Sequence, residues 1–239
     1  AGRPRRGGAG GAREARLMAA EVGAARERVA EVARRLADHG LVIGSAGNVS
    51  ERVGDLVAVT PTGAPLAALS ASHVVVVDMA GEHVDGELAP TSELELHLGV
   101  YRRYGATAVV HTHAPLATAL SCVLEELPVI HYQLLALGGP VRVAPYLTFG
   151  TPELAEATLE ALQDRNAALM SNHGAIVHGP ELEVAVERAL VLEWACGIYW
   201  HAAAIGSPRT LNAEHQAAFN QAVSRRGYGT VQRHRPREG

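Results

Sequence analysis

The sequence predicts an α/β fold built as a single domain. Short apolar runs of strand length end repeatedly at Gly or Pro, and longer stretches repeat Ala, Leu and Val at helical spacing among Glu and Arg. The two kinds of segment intermix from one end of the chain to the other. With 239 residues, 48% of them hydrophobic, the chain is long enough to bury a substantial core. No internal repeat or linker divides it. The Gly- and Arg-rich residues 1–11 read as a tail, residues 12–230 as the domain and residues 231–239 as a second tail.

The first helix is expected from Ala12 to Asp38, with His39-Gly40 ending its periodicity. Leu41–Ile43, Leu56–Thr60 and Val74–Asp78 read as strands. Ser92 and Glu95 stand at capping-box spacing, which predicts a helix from Thr91-Ser92 to Tyr104. Ala106–His113 reads as a buried strand, and Pro115 opens a helix after it. A strand at Val141–Ala144, a helix at Thr151–Gln163 and a strand at Ala167–Ser171 follow. Two helices, Glu181–Ile205 and Asn212–Ser224, complete the chain.

All 21 basic residues are Arg, and the chain contains no Lys. This excludes Schiff-base, pyridoxal phosphate and P-loop lysine chemistry. The net charge of -4 argues against nucleic acid as a partner. Cys122 and Cys196 both fall in apolar stretches and read as buried free thiols, too few for a cysteine-based zinc site. No apolar run is long enough to span a membrane, and the expected location is cytoplasmic.

Most of the 12 His read as solvated or satisfied core groups, among them His97, His201 and His215 on helices. His111 and His113 differ. They close an apolar strand as His-Thr-His, and residues two apart on a strand share a face, so the imidazoles converge. The alternative is a pair of polar residues at a strand end. His173, in Met170-Ser171-Asn172-His173-Gly174, also follows an apolar strand and offers a third ligand, with His178 a weaker candidate. Three His with an open fourth position suit a catalytic zinc, although other divalent metals take imidazoles too.

Three turns could grip an anion without Lys: Gly44-Ser45-Ala46-Gly47-Asn48-Val49-Ser50, Thr60-Pro61-Thr62-Gly63 and Pro90-Thr91-Ser92-Glu93, the last at a helix N-terminus. Each alone is as well read as an ordinary turn. Glu93 is either a charge complementing the helix dipole or a general base beside the other groups.

Taken together in this order, these segments resemble the class II aldolase/adducin family. Ile130-His131-Tyr132, Thr148-Phe149-Gly150-Thr151 and Asn172-His173-Gly174 add to the match, which runs from about residue 20 to 230. The resemblance implies three layers, helix, sheet and helix, with a mostly antiparallel sheet, and a homotetramer with active sites between subunits. It implies that His111, His113 and His173 bind Zn2+ and that Glu93 is the acid/base that also approaches the metal. Ser45, Gly47, Asn48, Thr62, Gly63, Thr91 and Ser92 would hold the phosphate of a sugar substrate, with Tyr132, Phe149 and Tyr228 around the aldehyde end. The implied reaction is reversible cleavage of a ketose 1-phosphate, L-fuculose 1-phosphate or a 5-deoxypentulose 1-phosphate, to dihydroxyacetone phosphate and an aldehyde. Epimerases, dehydratases and decarboxylases share the scaffold. Epimerases tend to carry Asp at the position of Glu93, and dehydratases a Glu near that of Gln133. A non-catalytic adducin-like module should have lost the ligands that this chain keeps.

Overall fold

The structure, a computed structural model, describes residues 8–226. Helix α1 (Gly8–Asp38) leads into β1 (Asn48–Val53), β2 (Leu56–Val59), β3 (Val75–Asp78) and β4 (His83–Asp85). Then come α2 (Leu94–Tyr104), β5 (Ala108–Thr112), α3 (Pro115–Ser121), β6 (Glu126–Leu127) and β7 (Val141–Ala144). The chain continues through α4 (Pro152–Ala161), β8 (Ala167–Met170), β9 (Gly174–Gly179), α5 (Leu182–Ile205) and α6 (Ala213–Arg226). The nine strands form one sheet in the order β4-β3-β2-β1-β5-β9-β8-β7-β6, antiparallel throughout except for the β7–β8 pair.

The sheet is covered on both faces, as the α/β reading requires. Strand residues alternate sides, so on β5 Ala108 and Val110 enter one core and Val109 the other. The first core is closed by α1, α3 and α5. On α1, Ala25, Val29, Val32 and Leu36 recur at helical spacing and are buried together with Ala30 and Ala33, while Glu27, Arg28 and Glu31 face solvent. The second core lies under α2 and α4, where Leu96, Val100 and Tyr101 meet Leu154, Ala155 and Leu159. Each such aliphatic side chain, fully buried, contributes roughly 1.5–3 kcal/mol. Among the described residues no helix is long and apolar enough to cross a membrane.

Several expectations change. Leu41–Ile43 is not a strand. Gly44 and Gly47 adopt positive φ directly after it, and the strand begins at Asn48 instead. Three further strands, β4, β6 and β9, were not anticipated: β4 and β6 are short, and β4 is fully exposed, so neither carries an apolar run. The capping box at Ser92 does not form. Helix α2 begins at Leu94 with Glu93 in the capping position, and Glu95 reaches Arg102 on the surface instead. Helix α1 starts at Gly8, inside the stretch assigned to a tail, because extending a formed helix costs little. Cys196 is buried, but Cys122 is exposed, since the apolar face of the short helix α3 ends just before it. The end of the domain at residue 230 and the tail 231–239 lie outside the described residues.

Strand β5 is approached closely from both neighbours. A Cβ on Gly47, whose φ is +95°, would meet the His111 carbonyl oxygen at 2.9 Å. A Cβ on Gly174 would meet the Thr112 carbonyl oxygen at 2.2 Å, a backbone atom that cannot swing aside. Gly174→Ala should therefore lower stability by about 1–3 kcal/mol, the usual cost of overpacking, as read from urea unfolding midpoints. An unchanged midpoint would show that the β5–β9 contact is looser than this geometry.

Candidate metal centre and the cavity above it

Three separate pieces of chain bring the imidazoles together. His111 lies near the end of β5 on the face toward α2, and its Nδ1 is 2.9 Å from the Ala175 carbonyl oxygen on β9. That bond fixes Nδ1 as a donor and turns Nε2 toward the site, where it donates to Glu93 when protonated and offers its lone pair when not. His113 follows the strand and is held by its backbone N–H donating to the Leu41 carbonyl at 3.1 Å. His173 comes from the tight β8–β9 turn, where Asn172 takes a left-handed conformation at φ 54°. Asn is among the few non-Gly residues that adopt it readily.

The ligand nitrogens of His111, His113 and His173 all lie within 4.8 Å of one another, and the rings meet edge to face at centroid distances of 4.8–4.9 Å. Glu93, at the head of α2, completes the cluster. Its Oε2 is 3.2 Å from His111 Nε2 and accepts from Asn48 Nδ2 at 2.8 Å. Its Oε1 is 3.5 Å from His173 Nε2, buried, and without a hydrogen-bond donor. A buried carboxylate oxygen that no N–H or O–H satisfies, aimed into three converging imidazoles, fits a divalent cation as its missing partner. His178 is not part of this set: it stacks on Tyr104, and its Nε2 meets the Arg165 carbonyl at 3.0 Å.

The electrostatics agree with a ligand set. Burial, followed by the charges of His111 and His173, lowers His113 to about 3. Burial and then His111 lower His173 to about 4. Both are neutral near pH 7, so their lone pairs are available. Burial would raise the pKa of Glu93, but attraction to His111, the hydrogen bond to it and the Asn48 contact hold it well below the usual carboxylate range. Burial would lower His111, but Glu93 raises it.

Above the cluster lies a cavity of about 410 Å³. All seven residues expected to hold phosphate line it: Ser45, Gly47, Asn48, Thr62, Gly63, Thr91 and Ser92. Glu93, His113, His173 and Phe149 also line it, and among the described residues no Arg takes part. Tyr146, 65% exposed beside Phe149, belongs to the lining and was not anticipated, because nothing around it in sequence marks it. Tyr132 stands elsewhere. It packs on His131 at 4.2 Å and on Phe219 of α6 at 4.8 Å, away from this cavity, because the 3-10 turn Tyr132–Leu137 carries it to the α5/α6 side. Tyr228 lies outside the described residues.

Sequence reasoning also passed over His97. It is fully buried, and Glu93, His97 and Tyr101 form one stripe at a spacing of four on α2, facing Asn48 and Ser50 on β1. The spacing was visible in the chain, but the strand that it faces was not.

A family profile described as Class II Aldolase and Adducin N-terminal domain matches residues 27–200. The chain belongs to the class II aldolase and adducin family. It is 38% identical over 208 residues to a 5-deoxy-D-ribulose 1-phosphate aldolase of Bacillus thuringiensis, covering 85% of this chain and 96% of the relative. It is 41% identical over 181 residues to an L-fuculose phosphate aldolase of Escherichia coli, covering 75% and 84% of the two chains. Among solved structures, an L-fuculose 1-phosphate aldolase superposes with a TM-score of 0.81 at 32% identity, over 84% of this chain and 96% of the other. The antiparallel sheet between two helical layers is thus the arrangement of a class II aldolase.

Because His97, His113 and His173 all have lowered pKa values, the folded metal-free class II aldolase domain binds fewer protons at them than the unfolded chain below about pH 6.5. Stability should fall as pH drops from about 6.5 toward 4. His111, with its raised value, acts in the opposite sense, losing its contribution as pH rises above about 6.5. Urea unfolding of metal-free protein at pH 7.5, 6.0 and 5.0 measures the balance. A midpoint that rises on acidification would contradict the neutral state of the three lowered imidazoles.

Proposed function

We propose that the protein is a zinc-dependent class II aldolase that reversibly cleaves a ketose 1-phosphate to dihydroxyacetone phosphate and an aldehyde. The observation that carries this is Glu93: one carboxylate, buried and ionised, facing three neutral-capable imidazoles at the floor of a cavity lined with Gly, Ser, Thr and Asn. His111, His113 and His173 would hold the zinc, which when bound supplies Lewis-acid polarisation of the substrate carbonyl.

The chain's own residues supply the rest. Ser45, Gly47, Asn48, Thr62, Gly63, Thr91 and Ser92 offer hydroxyl, amide and backbone N–H donors to the phosphate, in place of an absent lysine. In the direction of synthesis, Glu93 takes a proton from the hydroxymethyl carbon of dihydroxyacetone phosphate. The electron pair released attacks the aldehyde carbon, and a tyrosine hydroxyl protonates the alkoxide so formed. Cleavage runs the same steps backward, with Glu93 returning its proton to carbon.

Tyr132 and Tyr228 are our choices for that hydroxyl, contributed across subunit interfaces of a homotetramer. The position of Tyr132 outside its own chain's cavity supports service to a neighbouring site. The names of the relatives point to two substrates, L-fuculose 1-phosphate and 5-deoxyribulose 1-phosphate. Both sugars end in a methyl group, which suits the apolar rim of Tyr146, Leu147 and Phe149. The reaction is one of cytoplasmic carbohydrate metabolism.

Release of dihydroxyacetone phosphate from each sugar, with and without a chelator, tests the proposal. Chelation should abolish release and zinc should restore it. Glu93→Gln should reduce kcat by about 10²–10⁴-fold with the protein still folded. Metal-replete protein that releases nothing from either sugar would move the assignment to an epimerase, dehydratase or decarboxylase of the same family.

A further inference from the structure

Behind Glu93 and Asn48 runs a line of buried polar side chains, His97, Ser50 and Tyr101, that the cavity does not reach. Tyr101 Oη lies 2.5 Å from Ser50 Oγ, Ser50 Oγ lies 2.6 Å from His97 Nδ1, and His97 Nε2 lies 2.5 Å from Asn48 Oδ1. Asn48 Nδ2 then donates to Glu93 Oε2 at 2.8 Å. Ser50 and His97 are fully buried, and Tyr101 is 1% exposed.

Hydrogen-bond capacity settles the direction of every link. An ionised carboxylate only accepts, so Asn48 must turn its NH₂ to Glu93 and its Oδ1 to His97. His97 must then carry its proton on Nε2, since a bare Nε2 would set two lone pairs against each other. Its Nδ1 is therefore an acceptor, Ser50 must donate to it, and Tyr101 must donate to Ser50. All four links point toward Glu93, and reversing any one leaves two acceptors or two donors face to face.

We propose that His97, backed by Ser50 and Tyr101, is a positioning residue that makes Asn48 a donor-only group. With Oδ1 consumed by His97, the amide has only N–H to offer, one toward Glu93 and one toward the cavity. The inference rests on the reading of that cavity as a site for a phosphorylated sugar. Apolar side chains could fill this part of the core at no loss of packing. What they could not do is stop the Asn48 amide from turning over, which would bring its oxygen against both the Glu93 carboxylate and an incoming phosphate.

The test uses the full zinc-loaded chain with ¹⁵N-labelled histidine. Long-range ¹H–¹⁵N spectra should show His97 as the Nε2–H tautomer. Inorganic phosphate is then titrated into wild type, His97→Phe and His97→Gln. The Phe variant should bind about tenfold more weakly, the worth of roughly one well-made hydrogen bond, and Gln, which can both donate and accept, should recover to within about threefold. If His97→Phe does not fold, Ser50→Ala, which keeps the ring but removes its only donor, should release a mixture of tautomers and weaken phosphate in the same sense. An Nδ1–H tautomer in wild type, no phosphate binding by wild type, or unchanged affinity in a folded His97→Phe would each overturn the inference. Wild type that shows the tautomer and the His97-dependent affinity, yet releases no dihydroxyacetone phosphate, would bring down the aldolase reading and leave this one standing.

Discussion

The carboxylate of Glu93 is the group around which the rest of the site is arranged. A buried carboxylate can only accept, and left alone it would cost several kcal/mol or take up a proton. Here it is supplied from two sides. Asn48 donates to one oxygen, and the imidazole cluster faces both. These partners arrive together because Asn48 and His111 are directly paired across β1 and β5, on the face that meets α2. Shifting β1 by one residue against β5 would turn Asn48 away from Glu93 and His111 and into the opposite core.

The precision of the register has a backbone origin. Gly47 and Gly174 let their chains approach the carbonyls of His111 and Thr112 more closely than any side chain allows. The strand that carries His111 and leads into His113 is therefore packed tightly between its neighbours, and the β8–β9 turn delivers the third imidazole. Helix α3, which starts just beyond His113, has no capping side chain of its own. Glu193 of α5 supplies one, accepting from the Leu116 and Ala117 N–H groups at 2.9 and 2.8 Å. The site thus draws on both helical layers: α2 contributes Glu93, and α5 steadies the exit from β5.

Membership of the class II aldolase and adducin family and the local chemistry converge without depending on each other. A family that includes non-catalytic adducin-like modules does not by itself assign an activity. What argues for catalysis in this chain is the cluster of Glu93 with three imidazoles that could hold a metal, set under a cavity lined by small-residue turns. The lining among the described residues has neither Lys nor Arg, so in the proposed phosphate site recognition would rest on fixed dipoles, and fixed dipoles must be aimed. The buried line from Tyr101 to Asn48 is our proposed source of that aim.

The sequence by itself determined the α/β class, most helices and the apolar strands, because periodicities of 3.6 and 2 are local properties. It also determined that His111 and His113 share a face, and that small-residue turns stand where an anion could be held. Polar strands such as β1 and β4 escaped it, since their pairing is decided by partners distant in the chain. Only the tertiary structure decided that Glu93 faces His111 and not solvent, that His97 is a buried link and not a bland helix residue, and that Tyr132 lies away from its own cavity. Each of these depends on which strand lies opposite α2 or on where α6 packs. A residue's type and its immediate neighbours say what it can donate or accept, but the fold decides what stands within 3 Å of it.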